Sequence, residues 1–374
     1  MKKFISKSLF GVAVLFGLSM CLTSCEDILG HWEKPTPAAP GGVTPTPIPE
    51  EVYAFSLRNL ADDADIAATA LKVTDQAGNP IVTAESDGKY TIKSGNLGSV
   101  TTLWLEATTA TDKYIAKATK EELPAIAEAG KLKMATLGDL MGADGKFYAD
   151  AAAITAASTS AIGVIGYLGN DATTEAIADG GGHGLVLCLK NAAENSNTKW
   201  STEKVSKFSG QEVTSLDGLK RTENVSGYTN TATLTADAET AVKYPAAKAA
   251  KEYTPAAPAG TTGWFLPSAQ QWVKMQEALG GLDGSTPELT IKWSNWFDNS
   301  HTAADKWEVA LKKAGSGNYD SMLLYLTYWS SSEKSSNDAV RLSVDPTSTG
   351  GSFGFQWLGF GKNNTFRVRP VLAF

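Results

Sequence analysis

The chain has 374 residues, 43% hydrophobic and 20% charged, with 33 Lys and Arg against 40 Asp and Glu for a formal charge of −7. That length suits about two domains of roughly 100–200 residues each, and the composition is globular rather than disordered. A diffuse acidic balance argues against a nucleic-acid partner, and three His with three Cys argue against a zinc cluster, a disulfide framework or a multi-His metal site.

Met1 to Lys7 is basic, and Leu9 to Met20 is an apolar run of 12 residues. The run is too short to cross a bilayer core, which takes about 20 residues, but it suits the apolar part of a secretory signal. Leu22-Thr23-Ser24-Cys25 follows. A branched apolar residue, small residues and then Cys resemble the bacterial lipoprotein signal. The resemblance implies cleavage after residue 24 and a lipid on Cys25, with the membrane as a partner through that lipid. Several acyl chains anchor firmly, since each buried CH₂ contributes about 0.8 kcal/mol. Removing Lys2, Lys3 and Lys7 with the signal leaves 30 basic against 40 acidic residues, or −10. Glu26-Asp27, just after the Cys, resemble the export signal that places Bacteroidetes lipoproteins on the outer face of the outer membrane.

Residues 25–50 hold six of the 15 prolines, all in Glu33 to Glu50. Proline fixes φ and removes a donor, so this segment is expected to be a semi-rigid spacer. Residues 51–134 carry the period-2 alternation of strands: Val52 to Leu57, Ala70 to Thr74, Ile81 to Thr83, Gly88 to Ile92 and Val100 to Ala107. Asp75 to Pro80 is a turn cluster between two of them. The pieces Val73 to Pro80, Asp87 to Ile92, Tyr114 to Ala116 and Leu123 to Leu132 resemble the β-sandwich modules of Bacteroidetes fimbrillin-like surface proteins.

Residues 135–374 differ, with eight of the ten tryptophans at or beyond Trp200. Asp144 to Tyr148 reads as a turn followed by aromatics. Ala161 to Leu168 and Gly184 to Leu189 are apolar runs expected to be buried strands. Ser268 to Leu279 is an amphipathic helix with Trp272, Met275 and Leu279 on one face and Ser268 as its N-cap. Val340 to Val344 and Phe366 to Leu372 are late strands. Gly263-Trp264-Phe265-Leu266-Pro267-Ser268 with Trp272, then Tyr328-Trp329-Ser330-Ser331-Ser332-Glu333, then Val368-Arg369-Pro370-Val371 resemble, in order, the major paralogous domain of Fibrobacter succinogenes. That family resembles C-type-lectin-like folds and, more remotely, formylglycine-generating enzymes. The fold class implied is α+β: an N-terminal β-sandwich over 51–134, then a C-type-lectin-like α+β domain over 135–374.

Trp264, Trp272 and Trp329 are expected in the core, because Trp buries a large area and seeks an N–H partner. Ser330 to Glu333 is expected to be a turn held by hydroxyl-to-backbone bonds, with Arg367 and Arg369 pairing acids such as Glu333. Gly180 to Gly184 lacks the phosphate-loop spacing and reads as a flexible loop carrying His183. No Ser-His-Asp or Cys-His pair is supported by the sequence. Cys188, between Leu187 and Leu189, is expected to be buried and inert, and as the single Cys after Cys25 it leaves no thiol pair for formylglycine chemistry. The Glu-Pro-Asn and Gln-Pro-Asp triplets of calcium-dependent lectins are absent. Asp298-Asn299-Ser300 is an oxygen-rich loop suited to at most weak cation contact.

The remaining surface candidates are rich in aromatics and amides. Trp293, Trp296, Asp298 and Asn299 form one ligand-binding edge, and Trp357 with Asn363 a second. Such side chains suit sugar rings, whose apolar faces stack while their hydroxyls take the polar groups. The expectation is a non-catalytic outer-membrane lipoprotein that contacts neutral glycans or a host or bacterial surface protein, with no catalytic residue, no metal and no cofactor. The alternatives are a structural pilus-type subunit and, behind it, a glycan-acting enzyme with paired carboxylates.

Overall fold

In a computed structural model of the chain, residues 50–170, 182–192, 198–214, 226–280, 301–322, 326–346 and 353–374 are described. The first region follows the alternation. Its strands are β1 (Val52–Asn59), β2 (Ala70–Asp75), β3 (Thr83–Ser86), β4 (Lys89–Lys93), β5 (Thr102–Thr108) and β6 (Lys113–Thr119). Helix α1 (Leu123–Ala129) and β7 (Lys131–Met134) complete it. Tyr53, Phe55 and Leu57, every second residue of β1, are buried. The turn after β2 is built by Asp75, whose carboxylate accepts from the Ala77 and Asn79 N–H groups at 2.8 Å each and from Asn79 Nδ2 at 2.9 Å. Helix α1 has Pro124 in its first turn and stops at Gly130, whose φ of 66° is the left-handed cap that glycine adopts without strain.

These strands form a four-stranded sheet, β3-β4-β1-β7, and a three-stranded sheet, β2-β5-β6. Strand β1 pairs antiparallel with β4 through its first half and parallel with β7 through its second. One apolar core lies between the sheets. It joins Phe55, Leu57 and Ile92 of the first to Val73, Leu103, Leu105 and Ala116 of the second.

The second region begins with β8 (Leu140–Gly142) and β9 (Phe147–Tyr148), which bracket the expected turn, then α2 (Ala151–Ala156). Asp150 caps α2 by accepting from Ala153 N–H at 2.9 Å. Next come β10 (Ala161–Leu168), β11 (Gly184–Cys188), β12 (Thr198–Lys199) and three short helices, α3 (Gly227–Leu234), α4 (Ala238–Lys243) and α5 (Pro245–Lys251). Helices α6 (Ala269–Gly280) and α7 (His301–Lys312) precede β13 (Thr327–Glu333), β14 (Asp338–Pro346), β15 (Phe353–Gly361), β16 (Thr365–Phe366) and β17 (Val371–Ala373). Helices and strands thus mix throughout an α+β chain.

A five-stranded sheet, β17-β11-β10-β8-β9, is the centre of this region. It is buried on both faces, which is why β10 and β11 read as unbroken apolar runs rather than alternating ones. On one face Val164, Leu185 and Val371 pack against Trp272 and Met275 of α6, Trp307 and Leu311 of α7, and Leu342 of β14. On the other, Ile165, Val186 and Leu372 pack with Trp200, Tyr244 and Trp264. Gly163 is needed where β10 meets β11, since a Cβ there would run into Val186 Cγ1 and the Leu187 carbonyl oxygen.

The second face also receives the first region. Leu103 and Leu105 of β5 point into the two-sheet core, while Trp104 between them joins the other core with Ile115 and Ala135. Trp104 stacks on His183 at 4.3 Å and lies 6.0 Å from the Phe374 ring. Pro49 to Phe374 accordingly belong to one unit.

Candidate functional site

The most specific motifs of the second region meet at the start of α6. Ser268 caps the helix: its hydroxyl accepts from Gln271 N–H at 3.2 Å, and Gln271 Oε1 accepts from Ser268 N–H at 2.9 Å. This reciprocal pair is a capping box with Gln in the third helical position. Strand β13 locks onto the same end. Ser331 N–H donates to Pro267 O at 2.8 Å, and Ser332 Oγ accepts from Ala269 N–H at 3.0 Å. The motif tryptophans are core residues, as expected. Trp264 Nε1 donates to Pro255 O at 2.7 Å, and Trp329 Nε1 to Thr198 O at 2.8 Å. Trp272 stacks on Trp307 at 5.8 Å.

Ser330 to Glu333 is not a turn. It is the second half of β13 and is buried throughout. Tertiary burial overrides the weak strand preference of serine here. The expected hydroxyl-to-backbone bond does form, from Ser330 Oγ to Val340 O at 2.8 Å. Glu333 does not pair with Arg367 or Arg369. Its Oε1 receives Lys362 Nζ at 2.5 Å, and both side chains are 0% exposed. Its Oε2 accepts from Ser206 Oγ at 3.0 Å, Lys207 N–H at 2.9 Å and Phe208 N–H at 3.0 Å. Lys362 also donates to Val205 O at 2.8 Å and lies 4.7 Å from the Trp200 ring centre. One carboxylate therefore pins the 206–208 segment to β13, and its Lys362 partner holds Val205.

Arg369 is buried as well, but on carbonyls. Nε donates to Cys188 O at 2.9 Å and Nη1 to Asp320 O at 3.1 Å. Cys188 is fully buried, and burial pushes its thiol up to about 12. It is a weak donor to Lys190 O at 3.0 Å and no nucleophile at neutral pH.

His183 is not in an open loop. It is 4% exposed, directly precedes β11, and its Nδ1 lies 2.7 Å from Glu106 Oε1. Lys72 Nζ is 3.3 Å from the other Glu106 oxygen. Burial raises the Glu106 carboxyl, but the His183 hydrogen bond and the charges of His183 and Lys72 outweigh it and leave the carboxyl below its usual range. The run of glycines hid this, because the partners lie on β2 and β5, far away in sequence.

Of the surface candidates, Trp293, Trp296, Asp298 and Asn299 lie outside the described residues, as does the Asp298-Asn299-Ser300 loop. Trp357 is on β15 opposite Leu342 of β14. Asn363 is exposed in the turn after β15. The described surface there adds Phe360, 39% exposed, with the Arg341 guanidinium 4.9 Å from its ring centre. Phe360 was not among the residues singled out from the sequence. Its signal was an aromatic beside two Asn in a Gly-rich stretch.

Among the described residues no group of three or more His, Cys, Asp or Glu is placed to hold a metal ion. No described helix is long and apolar enough to cross a membrane. Comparison with protein families, with curated proteins and with solved structures finds no match to this chain.

Proposed function

We propose that this chain is a non-catalytic surface lipoprotein, anchored through Cys25 and displaying a fimbrillin-like β-sandwich joined to a C-type-lectin-like domain that binds glycan or protein. The observation that carries the reading is the fate of the motif side chains. The carboxylate of Glu333 is taken by Lys362, a hydroxyl and two amides. The hydroxyls of Ser330 and Ser332 hold Val340 and the start of α6. Polar groups committed in this way build a rigid platform and leave contact chemistry to the surrounding loops, where binding residues are most often found. The acyl anchor and the Pro-rich spacer suit presentation of that platform away from a membrane.

Metabolic labelling with a palmitate analogue tests the anchor. Wild type takes up label and partitions with membranes, and Cys25→Ala does neither. Equal labelling of both contradicts the reading. A glycan and surface-protein screen of the mature chain then identifies the ligand class.

A further inference from the structure

We propose that the trough flanking Lys190, Tyr253 and Thr254 binds a carboxylated saccharide, with the Lys190 ammonium taking the carboxylate. The proposal deepens the glycan-binding reading above and rests on it for the choice of a sugar, but replaces the neutral glycan expected from the sequence with an acidic one.

Two cavities of about 500 and 520 Å³ share those three residues. Each falls within the size of small-molecule sites, roughly 300–1,000 Å³. The first has a buried apolar floor of Ile154, Ile162 and Leu189. Its rim carries Thr155, Ser160 and Asn318, and among the described residues no Asp or Glu lines it. The second cavity adds Asn191 and Lys248. The one carboxylate that lines it among the described residues, Glu252, is 3.4 Å from Lys248 and so already has a cation beside it.

Lys190 is exposed and has no ion-pair partner among the described residues. Its backbone, by contrast, is clamped from below. The Lys190 N–H donates to Tyr253 Oη at 3.2 Å, and its carbonyl accepts from Cys188 Sγ at 3.0 Å. Asn191 N–H donates to Asp320 Oδ2 at 2.8 Å, and Arg369 Nη1 donates to Asn191 Oδ1 at 3.4 Å. The Tyr253 ring is held edge-on against Trp264 at 5.1 Å. A surface cation mounted on a buried polar frame loses little backbone freedom when a ligand arrives, which favours affinity.

The chemistry of the lining selects the ligand. One uncommitted ammonium calls for an anion. The hydroxyl and amide rim calls for several hydroxyls, and the apolar floor for a ring face. A uronic acid within an oligosaccharide carries all three. An inorganic anion or simple carboxylate has nothing for the floor, and a neutral sugar offers Lys190 hydroxyls but no charge.

Isothermal titration of the mature chain with trigalacturonate, maltotriose and acetate tests this. Trigalacturonate should bind about tenfold or more tightly than the other two, and should weaken as salt rises from roughly 50 to 500 mM, because screening reduces the charge contribution. Lys190→Gln should weaken it by about tenfold, the scale of one charge-assisted hydrogen bond. Ser160→Tyr, which fills the first cavity and leaves Lys190 in place, should weaken it too. Unfolding midpoints confirm that both variants fold. Unchanged binding in both folded variants, equal binding of maltotriose, or no binding of trigalacturonate overturns the proposal. Absence of trigalacturonate binding alongside a different ligand in the screen overturns this site and leaves the wider function standing, whereas failure of Cys25 labelling does the reverse.

Discussion

The two regions of the molecule handle charge in opposite ways. In the two-sheet region, away from Glu106, ion pairs such as Lys131 and Lys133 beside Asp63, and Lys93 beside Glu50, lie at the surface on side chains more than two-fifths exposed. Its core is apolar, and its turns are closed by local side-chain bonds such as those of Asp75. In the second region charge is taken inside. Glu333 with Lys362, Asp139 with Lys313, and Arg369 on its carbonyls all sit within or against the apolar cores. Exposed pairs contribute little, whereas breaking a buried pair leaves an uncompensated charge and costs several kcal/mol. The first region therefore depends chiefly on packing, and the second also on buried polar partners.

The largest effect expected from this contrast is at the buried pair. Glu333→Ala should destabilise the mature chain by about 3–5 kcal/mol, because the Lys362 ammonium is left buried without its carboxylate. Denaturant midpoints at constant slope measure it. A loss below about 1 kcal/mol would place this pair with the surface ones.

A smaller effect is expected where the regions meet. The carboxyl of Glu106 ionises below its usual range, against burial, because of the His183 hydrogen bond and the His183 and Lys72 charges. A depressed folded value means that the stabilisation is complete above the unfolded Glu value of about 4.3 and fades as pH falls through the folded value. Wild type should therefore exceed Glu106→Gln by about 1.5 kcal/mol at neutral pH, as for a hydrogen bond to a charged group. The difference should shrink on acidification below the unfolded value. A difference that stays constant over that range would mean the pair is not ionised as described.

The smallest effect is at the surface of the first region. Lys131→Ala should change stability by no more than about 0.5 kcal/mol, even though its Nζ lies 2.9 Å from Asp63. A cost of several kcal/mol there would erase the contrast between the regions.

How much of this could be read from the chain alone divides along the same line. The first region was legible because its physics is local. Alternation placed β1, β2, β4 and β5 to within a few residues, and the Asp75 to Pro80 cluster is the turn it resembles. In the second region the apolar run of β10, the Ser268 cap and the Trp272–Met275–Leu279 face of α6 were equally plain. What escaped depends on partners distant in sequence. The choice of Lys362 over Arg367 or Arg369 for Glu333 is made by the path of the chain between β15 and β16, which no spacing rule reports. His183 sits among glycines that signal a loop, and only the return of β5 beneath it supplies Trp104 and Glu106. Helices α3 to α5 are short and rich in Ala and Thr, so their periodicity is faint, and α3 and α5 join the cluster of Trp200 and Trp264. The proposed trough was invisible for the same reason: its floor and rim come from α2, β10 and the segments after β11, α5 and α7.

The most specific motif of the chain is a buried structural lock rather than a contact surface. The most direct test is a double-mutant cycle on Glu333 and Lys362, read by denaturant midpoints of the mature chain. Glu333→Ala alone should be severely destabilised, and adding Lys362→Met should recover much of the loss, because the unpaired buried charge is gone. Strictly additive losses, or a Glu333→Ala chain as stable as wild type, would contradict it.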